Sequence, residues 1–542
     1  MHRFSEVLGQ HVQFASTAWD RIVLNGDLDR LQRPENIVDF LREVVGEPAV
    51  TPAVRMSRTA PYRTWVQDYA AARDIPLLAA PKGVRKEDVA APSYRRLKGA
   101  AGVACILSDV EQGRTFVSYT PRSLPPSGDT HDRLISACRK CFRHYDVYVL
   151  DPVLGPMSLR LGTFLPFTRA VFLNGHSFLA QELTRQGIGF RKDDNAFLAV
   201  DDRAALEAAA ARRTPHLIEQ RCGSWVRQLA PSFSREERAA VDLHDRSSVA
   251  QSELATDVIC RRSAPLRALV RRATELGIVL GGADRTTHLV GRRITQRDSG
   301  KLQPVLDRRN EGQPILRSSD GSSFVTQDEK SDRLLRTETC LNTTYDLGSG
   351  RHLDNLPALK ERMQATNLRY LDAQAEVLTS TVDAGDLASL ARPVQVGARR
   401  VPGHKLEDDR VIRLLEALLH PGTFVADWTS REVHTRLLAR HRLTETDDRW
   451  GQLRDDLGKL RAHGLVERLG TSRRYRLTTR GLKLGVLLVK LRTRLLGPLL
   501  TLAVAPPPRQ PTTNPSEVEA AFRQVDAALD HLCATLGLQP AA

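Results

Sequence analysis

No run of apolar residues in this 542-residue chain is long enough to cross a bilayer. The most hydrophobic stretch, 481–500, is broken by Lys483, Lys490, Arg492, Arg494 and Pro498, whereas a spanning helix needs about 20 mostly apolar residues. Residues 1–20 lack a continuous apolar core too, since His2, Arg3, Glu6 and Asp20 interrupt it, so no secretory signal is expected. The seven cysteines (105, 138, 141, 222, 260, 340 and 533) are scattered and odd in number. A cytoplasmic protein with reduced thiols and no membrane partner is therefore expected. Cys138-x-x-Cys141, with His131 and His144 nearby, has no second pair downstream, and a structural zinc site needs four ligands. Gly281-Gly282 lacks the spacing of a phosphate-binding loop, and neither G-x-S-x-G nor H-E-x-x-H occurs. These absences exclude the commonest nucleotide-hydrolysing, esterase and zinc-protease motifs, and no cofactor is expected.

What is present is charge. Lys and Arg number 79 against 64 Asp and Glu, giving +15 and a pI near 9.8. Such a surplus favours a polyanionic partner, most simply double-stranded DNA. With 41% hydrophobic and 26% charged residues the chain reads as globular, with three or four domains.

The hydrophobic pattern predicts an α+β multidomain protein without internal repeats. Residues 1–128 read as a mixed α/β domain, with a strand at 21–24, a helix at 34–45 and strands at 102–107 and 114–119. The Pro-rich stretch 121–128 marks a boundary. Residues 129–395 read as a second mixed region. Its expected helices are 132–144, 179–186, 202–212, 234–262, 266–276 and 356–378, with strands at 147–150, 158–161, 324–326 and 334–339. A basic linker, 390–405, leads to a domain at 406–500. Beyond the Pro-rich spacer 505–511, a helix at 516–538 carries Val518, Phe522, Val525, Leu529, Leu532 and Leu536 at alternating gaps of four and three. That seam suits a homodimer or docking onto the protein itself.

The stretch 407–481 is the most informative. It predicts three helices, bearing Val411, Leu414, Leu415 and Leu418, then Val433, Leu437 and Leu438, then Trp450, Leu453, Leu457 and Leu460. Gly464 ends the third, and a short hairpin follows with its turn at 470–474. Leu457, Leu460, Gly464-Leu465-Val466, Arg468, Arg473-Arg474-Tyr475, Leu477-Thr478 and Gly481 resemble the winged helix-turn-helix domains of MarR- and PadR-like proteins. The resemblance covers about a seventh of the chain. It implies a third helix lying in the major groove and a wing on the phosphates. Arg468, Arg473, Arg474 and Arg476, with Arg480, then become phosphate contacts. Gln452 would read an adenine edge and Arg449 or Arg454 a guanine. Against this stand Glu445, Asp447, Asp448, Asp455 and Asp456 in and before the third helix, which repel phosphate and favour a protein-docking surface.

Two places in the middle region carry catalytic residue types. His176, after Asn174-Gly175, and Asp193-Asp194 would hold a divalent cation if they converged, although both are also ordinary turn sequences. Asp320 and Asp328-Glu329-Lys330, followed by Glu338, have the acids and lysine of metal-dependent nucleases; a charged hairpin turn explains the same residues more simply. The same stretch is similar to part of rolling-circle replication initiators, but Thr326 and Gln327 stand where those have Lys and Tyr. Leu173-Asn174-Gly175-His176, Arg336-Thr337-Glu338-Thr339 and Asn342 resemble an uncharacterised bacterial group often labelled MarR-family regulators. The expected function is DNA binding, regulatory or mobile-element-associated. The alternatives are a Mg²⁺-dependent DNA-processing enzyme using Asp194, Asp328 and Glu338, or a protein-interaction scaffold.

Overall fold

The computed structural model describes residues 2–46, 59–119, 134–240, 245–269, 305–379 and 384–492, apart from short gaps inside these ranges, together with Gln524 and Ala527. Residues 1–489 form one unit and 490–542 a second. The terminal helix expected at 516–538 lies almost wholly outside the described residues.

The fold is mixed α+β and is built on one eleven-stranded sheet. In chain order its strands are β1 (Val12–Leu28), β2 (Leu77–Ala79), β3 (Gly102–Tyr119), β4 (Leu134–Asp151), β5 (Gly155–Gly162) and β6 (Arg169–Asn174). A separate hairpin, β7 (Phe190–Asp193) and β8 (Ala196–Val200), follows. The sheet resumes with β9 (Asp245–Cys260), β10 (Val305–Arg309), β11 (Gln313–Asp320), β12 (Ser323–Lys330) and β13 (Leu334–Leu341). The spatial order is β10-β11-β12-β13-β9-β1-β6-β5-β4-β3-β2, antiparallel except for the short edge strand β2. Strand β1 is the seam, pairing with β6 on one side and β9 on the other.

Helices cover this sheet. In chain order they include α1 (His2–Leu8), α2 (Pro34–Glu43), α3 (Thr59–Ala71), α4 (Gly175–Arg185), α5 (Arg203–Arg212), α6 (Pro215–Leu229) and α7 (Leu356–Thr379). The largest core joins Tyr62 and Val66 of α3, Phe178 and Leu183 of α4, and Ile218 and Trp225 of α6 to Val147, Leu159 and Leu173 of the strands. On the other half of the sheet, α1 and α7 close over Val258 and Leu335 with Phe4, Leu8, Leu371 and Ala375. Between α7 and the strands lies a buried polar layer. Asn367 donates to Thr256 and to the Leu254 carbonyl and accepts from Thr339. Gln327 exchanges hydrogen bonds with Gln374. Every buried amide satisfied in this way fixes the register of α7 on the sheet.

Several sequence expectations are overturned. Residues 132–144 do not form a helix: Leu134–Asp151 is one strand, in register with β3 from Tyr119↔Leu134 to Gly102↔Leu150. Phe142, Tyr145, Val147, Tyr148 and Val149 favour the pleated surface, and the cross-strand pairs outweigh the helical spacing. The boundary expected at 121–128 therefore does not divide two domains; β3 and β4 flank it within one sheet. Cys138 and Cys141 sit on β4, where an odd separation points them to opposite faces. Of the helix expected at 234–262, Arg235–Ala240 is helical and Asp245–Cys260 is instead the strand β9, while 241–244 lie outside the described residues. The helix expected at 266–276 is seen at 263–269 and otherwise lies outside the described residues.

The C-terminal module follows a small hairpin, β14 (Val394–Val396) and β15 (Arg399–Val401). It comprises α8 (Asp409–Leu418), β16 (Trp428–Thr429), α9 (Ser430–His441), α10 (Trp450–Ala462), β17 (Val466–Arg468), β18 (Arg474–Leu477) and α11 (Thr479–Leu491). The three strands form a sheet of order β16-β18-β17. Asp408 caps α8, and Thr429 with Glu432 makes a capping box at α9. Ile412, Leu415, Trp428, Val433, Leu437, Leu453, Leu457, Leu460 and Val466 build the core with Leu482 and Val486 of α11. Trp450, expected inside, is 39% exposed.

Gly481 lets α11 press against the hairpin. A Cβ there would lie 2.1 Å from the Leu465 carbonyl oxygen, which is backbone and cannot swing away. Gly481→Ala is expected to lower stability by about 1–3 kcal/mol, the usual cost of overpacking, read as a lower melting temperature. An unchanged melt would mean that α11 shifts freely.

Candidate nucleic-acid interface and a second polar site

One face of α9 along its length, the loop after it, the start of α10 and the tip of the β17–β18 hairpin line an open groove of about 1200 Å³. Arg431, Arg442, Arg449 and Arg473 line it with Glu445 and the exposed face of Trp450. All four arginines are exposed. The indole is braced from beneath by His434, ring edge to face at 5.7 Å, and His434 Nε2 lies 2.7 Å from the Asp448 carbonyl.

The arginines expected to touch DNA fall into two groups. Arg473, Arg449 and Arg454 are exposed. Arg468 instead braces its own turn, donating to the Ser472 and Thr471 carbonyls at 2.6 and 3.1 Å. Arg474 donates to the Asp427 carbonyl, and Arg476 to the Asp427 carboxylate at 2.9 Å. Arg480 is turned to the His463 carbonyl and Ser389. Gln452 accepts from the Arg449 backbone N–H and from Arg410 through Oε1. A glutamine reading adenine needs that oxygen as well as its amide nitrogen.

The acids around α10 are mostly occupied. Arg410 of α8 holds Asp456 at 2.5 Å and the buried Asp448 at 3.0 Å. Asp447 accepts from the Thr444 backbone and hydroxyl, which hold its carboxyl below the usual range. Glu445 and Asp455 remain exposed.

A second polar constellation lies on the large sheet. Asp20 of β1, Glu253 of β9 and Glu338 of β13 come from three adjoining strands, and their nearest oxygens lie within 4.8 Å of one another. A bulge between Trp19 and Arg21 sets both Asp20 and Arg21 against Glu253, so a side chain that strict alternation would turn away is re-aimed. Arg21 donates to Glu253 at 2.6 Å. Arg336, two residues before Glu338 on β13, forks onto the buried Asp257 at 2.8 and 2.9 Å and lies 3.7 Å from Asp20.

His176 completes the group from the first turn of α4. Gly175 makes this possible: a Cβ there would lie 2.2 Å from the Trp19 carbonyl, so only glycine lets α4 start against the bulge. Asn174 caps the helix through the Ser177 N–H, and its amide donates to Asn195 at 3.4 Å. The His176 ring is 1% exposed, Nε2 stands 3.4 Å from Asp20 Oδ1, and neither nitrogen has a hydrogen-bond partner. Burial, then the charge of Arg336, pushes His176 well below its ordinary pKa, so it is neutral. Burial, then the charges of Asp20 and Glu253, drives the Glu338 carboxyl well above the carboxylate range.

Of the acids expected to be catalytic, Glu338 thus enters a cluster. Asp328 lies one strand over on β12, opposite Arg336. Asp194 lies outside the described residues, Asp193 ends β7, and Asp320 ends β11. Asn174 donates to Asn195 in the turn after Asp193, but this amide contact is not the cation site considered for His176 with Asp193 and Asp194. Asp20 and Glu253 were missed; an acid beside Arg21-Ile22-Val23-Leu24 was the only local signal. Comparison with family models, curated proteins and solved structures gave no match.

Proposed function

We propose that the C-terminal module is a winged helix that binds double-stranded DNA, with a regulatory or mobile-element role for the whole protein. The order α8-β16-α9-α10-β17-β18 is that of the winged helix, with α10 as recognition helix and the β17–β18 turn as wing. The observation that carries the reading is the groove lined by Arg431, Arg442, Arg449 and Arg473 beside Trp450. The acids that would oppose phosphate count for less, because Arg410 neutralises Asp448 and Asp456. Arg431 and Arg473 are phosphate contacts in this reading, and Arg449 and Arg454 reach bases.

The test is binding to duplex DNA across a salt series. Arg431→Ala with Arg473→Ala is expected to flatten the log–log salt slope by roughly 1–2 units, since each phosphate contact contributes about −0.9. Arg449→Ala should cost about 1–3 kcal/mol on the preferred sequence alone. Undiminished affinity and an unchanged slope in folded double variant would sink the proposal and leave α9–α10 as a protein-docking surface. The second reading, a DNA-processing enzyme, is favoured by the meeting of Glu338 with Asp20 and Glu253. Mg²⁺-dependent cleavage of the shifted DNA would replace plain binding in that case.

A further inference from the structure

We infer that Asp20, Glu253 and Glu338, with His176 at their edge, bind one divalent cation of the Mg²⁺ or Mn²⁺ kind. Three carboxylates drawn to within 4.8 Å repel one another unless protons or a cation intervene. The neighbouring guanidinium groups are largely committed. Arg21 serves Glu253 from a half-exposed position, and Arg336 gives its fork to Asp257 and a further N–H to the Asn195 carbonyl. Asp20 Oδ1 and Glu338 Oε1 are buried oxygens without a hydrogen-bond partner.

The independent observation is His176. A fully buried imidazole with both nitrogens unpartnered is costly, and here one of them faces the acids. In the neutral tautomer protonated on the other nitrogen, that nitrogen carries a lone pair, the state in which histidine ligates metals. Two backbone devices bring these groups together: the bulge that aims Asp20, and the glycine that admits α4. A donor set dominated by carboxylate oxygens, without a thiolate, selects hard cations. Asp20 and Glu253 side chains keep 16% and 21% of their surface exposed, so water or an anionic substrate oxygen has access to the remaining positions.

This site lies on the large sheet and is independent of the DNA-binding proposal. The experiment is titration of the full chain with Mn²⁺ alone, counted by electron paramagnetic resonance, with melting curves alongside. One saturable Mn²⁺ per chain is expected, displaced by Mg²⁺ and accompanied by a rise in melting temperature. Asp20→Asn and Glu338→Gln should each weaken binding at least tenfold while leaving the cation-free protein folded, because each keeps the size and shape of the side chain it replaces. Glu253→Gln provides the same readout should Asp20→Asn fail to fold. The inference is overturned if the unaltered protein shows no saturable binding up to about 10 mM, beyond even weak cation sites. It is equally overturned if folded Glu338→Gln and Glu253→Gln bind Mn²⁺ as the unaltered protein does.

Discussion

Arg336→Leu is expected to cost the protein about 3–5 kcal/mol, the penalty for removing one partner of a buried ion pair. Asp257 is 1% exposed, and both its oxygens accept from the Arg336 fork. The same guanidinium donates to the Asn195 carbonyl at 2.6 Å, tying the β7–β8 hairpin to the sheet. Leucine would leave a buried carboxylate beside Asp20 without its bidentate partner. Asp257→Asn added to Arg336→Leu should recover part of the loss, because the unpaired charge goes with it. Urea unfolding of the two single variants and the double gives the coupling. A loss below about 1 kcal/mol, the range of exposed pairs, or a double variant no better than Arg336→Leu, would contradict this account.

Asp151→Ala is expected to be comparably damaging, by about 3–5 kcal/mol, and to change how stability depends on pH. The Asp151 side chain is fully buried at the end of β4. It accepts from Arg221 at 3.0 and 2.8 Å, from the Trp225 indole at 2.8 Å, and from the Val153 and Leu154 backbone N–H groups at 2.8 Å each. Burial alone would raise its pKa, but Arg221, the two backbone donors and the indole together hold it below the usual carboxylate range. A depressed folded-state pKa adds stability above the unfolded value, about 3.9, and that stability is lost as pH falls through the folded value. The unaltered protein should therefore lose more stability on acidification than Asp151→Ala over that window. Parallel acid titrations of the two melts would decide, and equal slopes would remove Asp151 from the explanation.

Local pattern carried the C-terminal module. Leu453, Leu457 and Leu460 at helical spacing, and the Thr429 cap followed by Glu432, are short-range signals, and the helices appear where these placed them. Helices α2, α5 and α7 were legible for the same reason. The long strands were not. β4 and β9 contain residues that satisfy a helical period, and only their partners settle the matter, with β3 for one and β1 and β13 for the other. The acidic cluster was half legible. Glu338 and His176 drew attention by their neighbours in sequence, whereas Asp20 and Glu253 join them through strand register and a bulge. Among the expected DNA contacts, no sequence pattern reveals that Asp427 engages Arg474 and Arg476, because that pairing depends on β16 lying beside β18.

The position of β1 also bears on how the chain is made. Once β6 has been synthesised, one flank of β1 can be covered, yet β9 begins about 70 residues further on and β13 later still. At about 5–20 residues per second, a ribosome needs roughly 4–14 s to deliver that second neighbour. During that interval the nascent chain presents a bare strand flank, the kind of surface on which unrelated polypeptides add. Asp20 and Arg21, charged and placed at the irregular point of β1, interrupt that flank. Charges at such a point are of the kind that resists edge-to-edge addition of strands, so a polar cluster of the finished protein falls where a partly made sheet has most need of one.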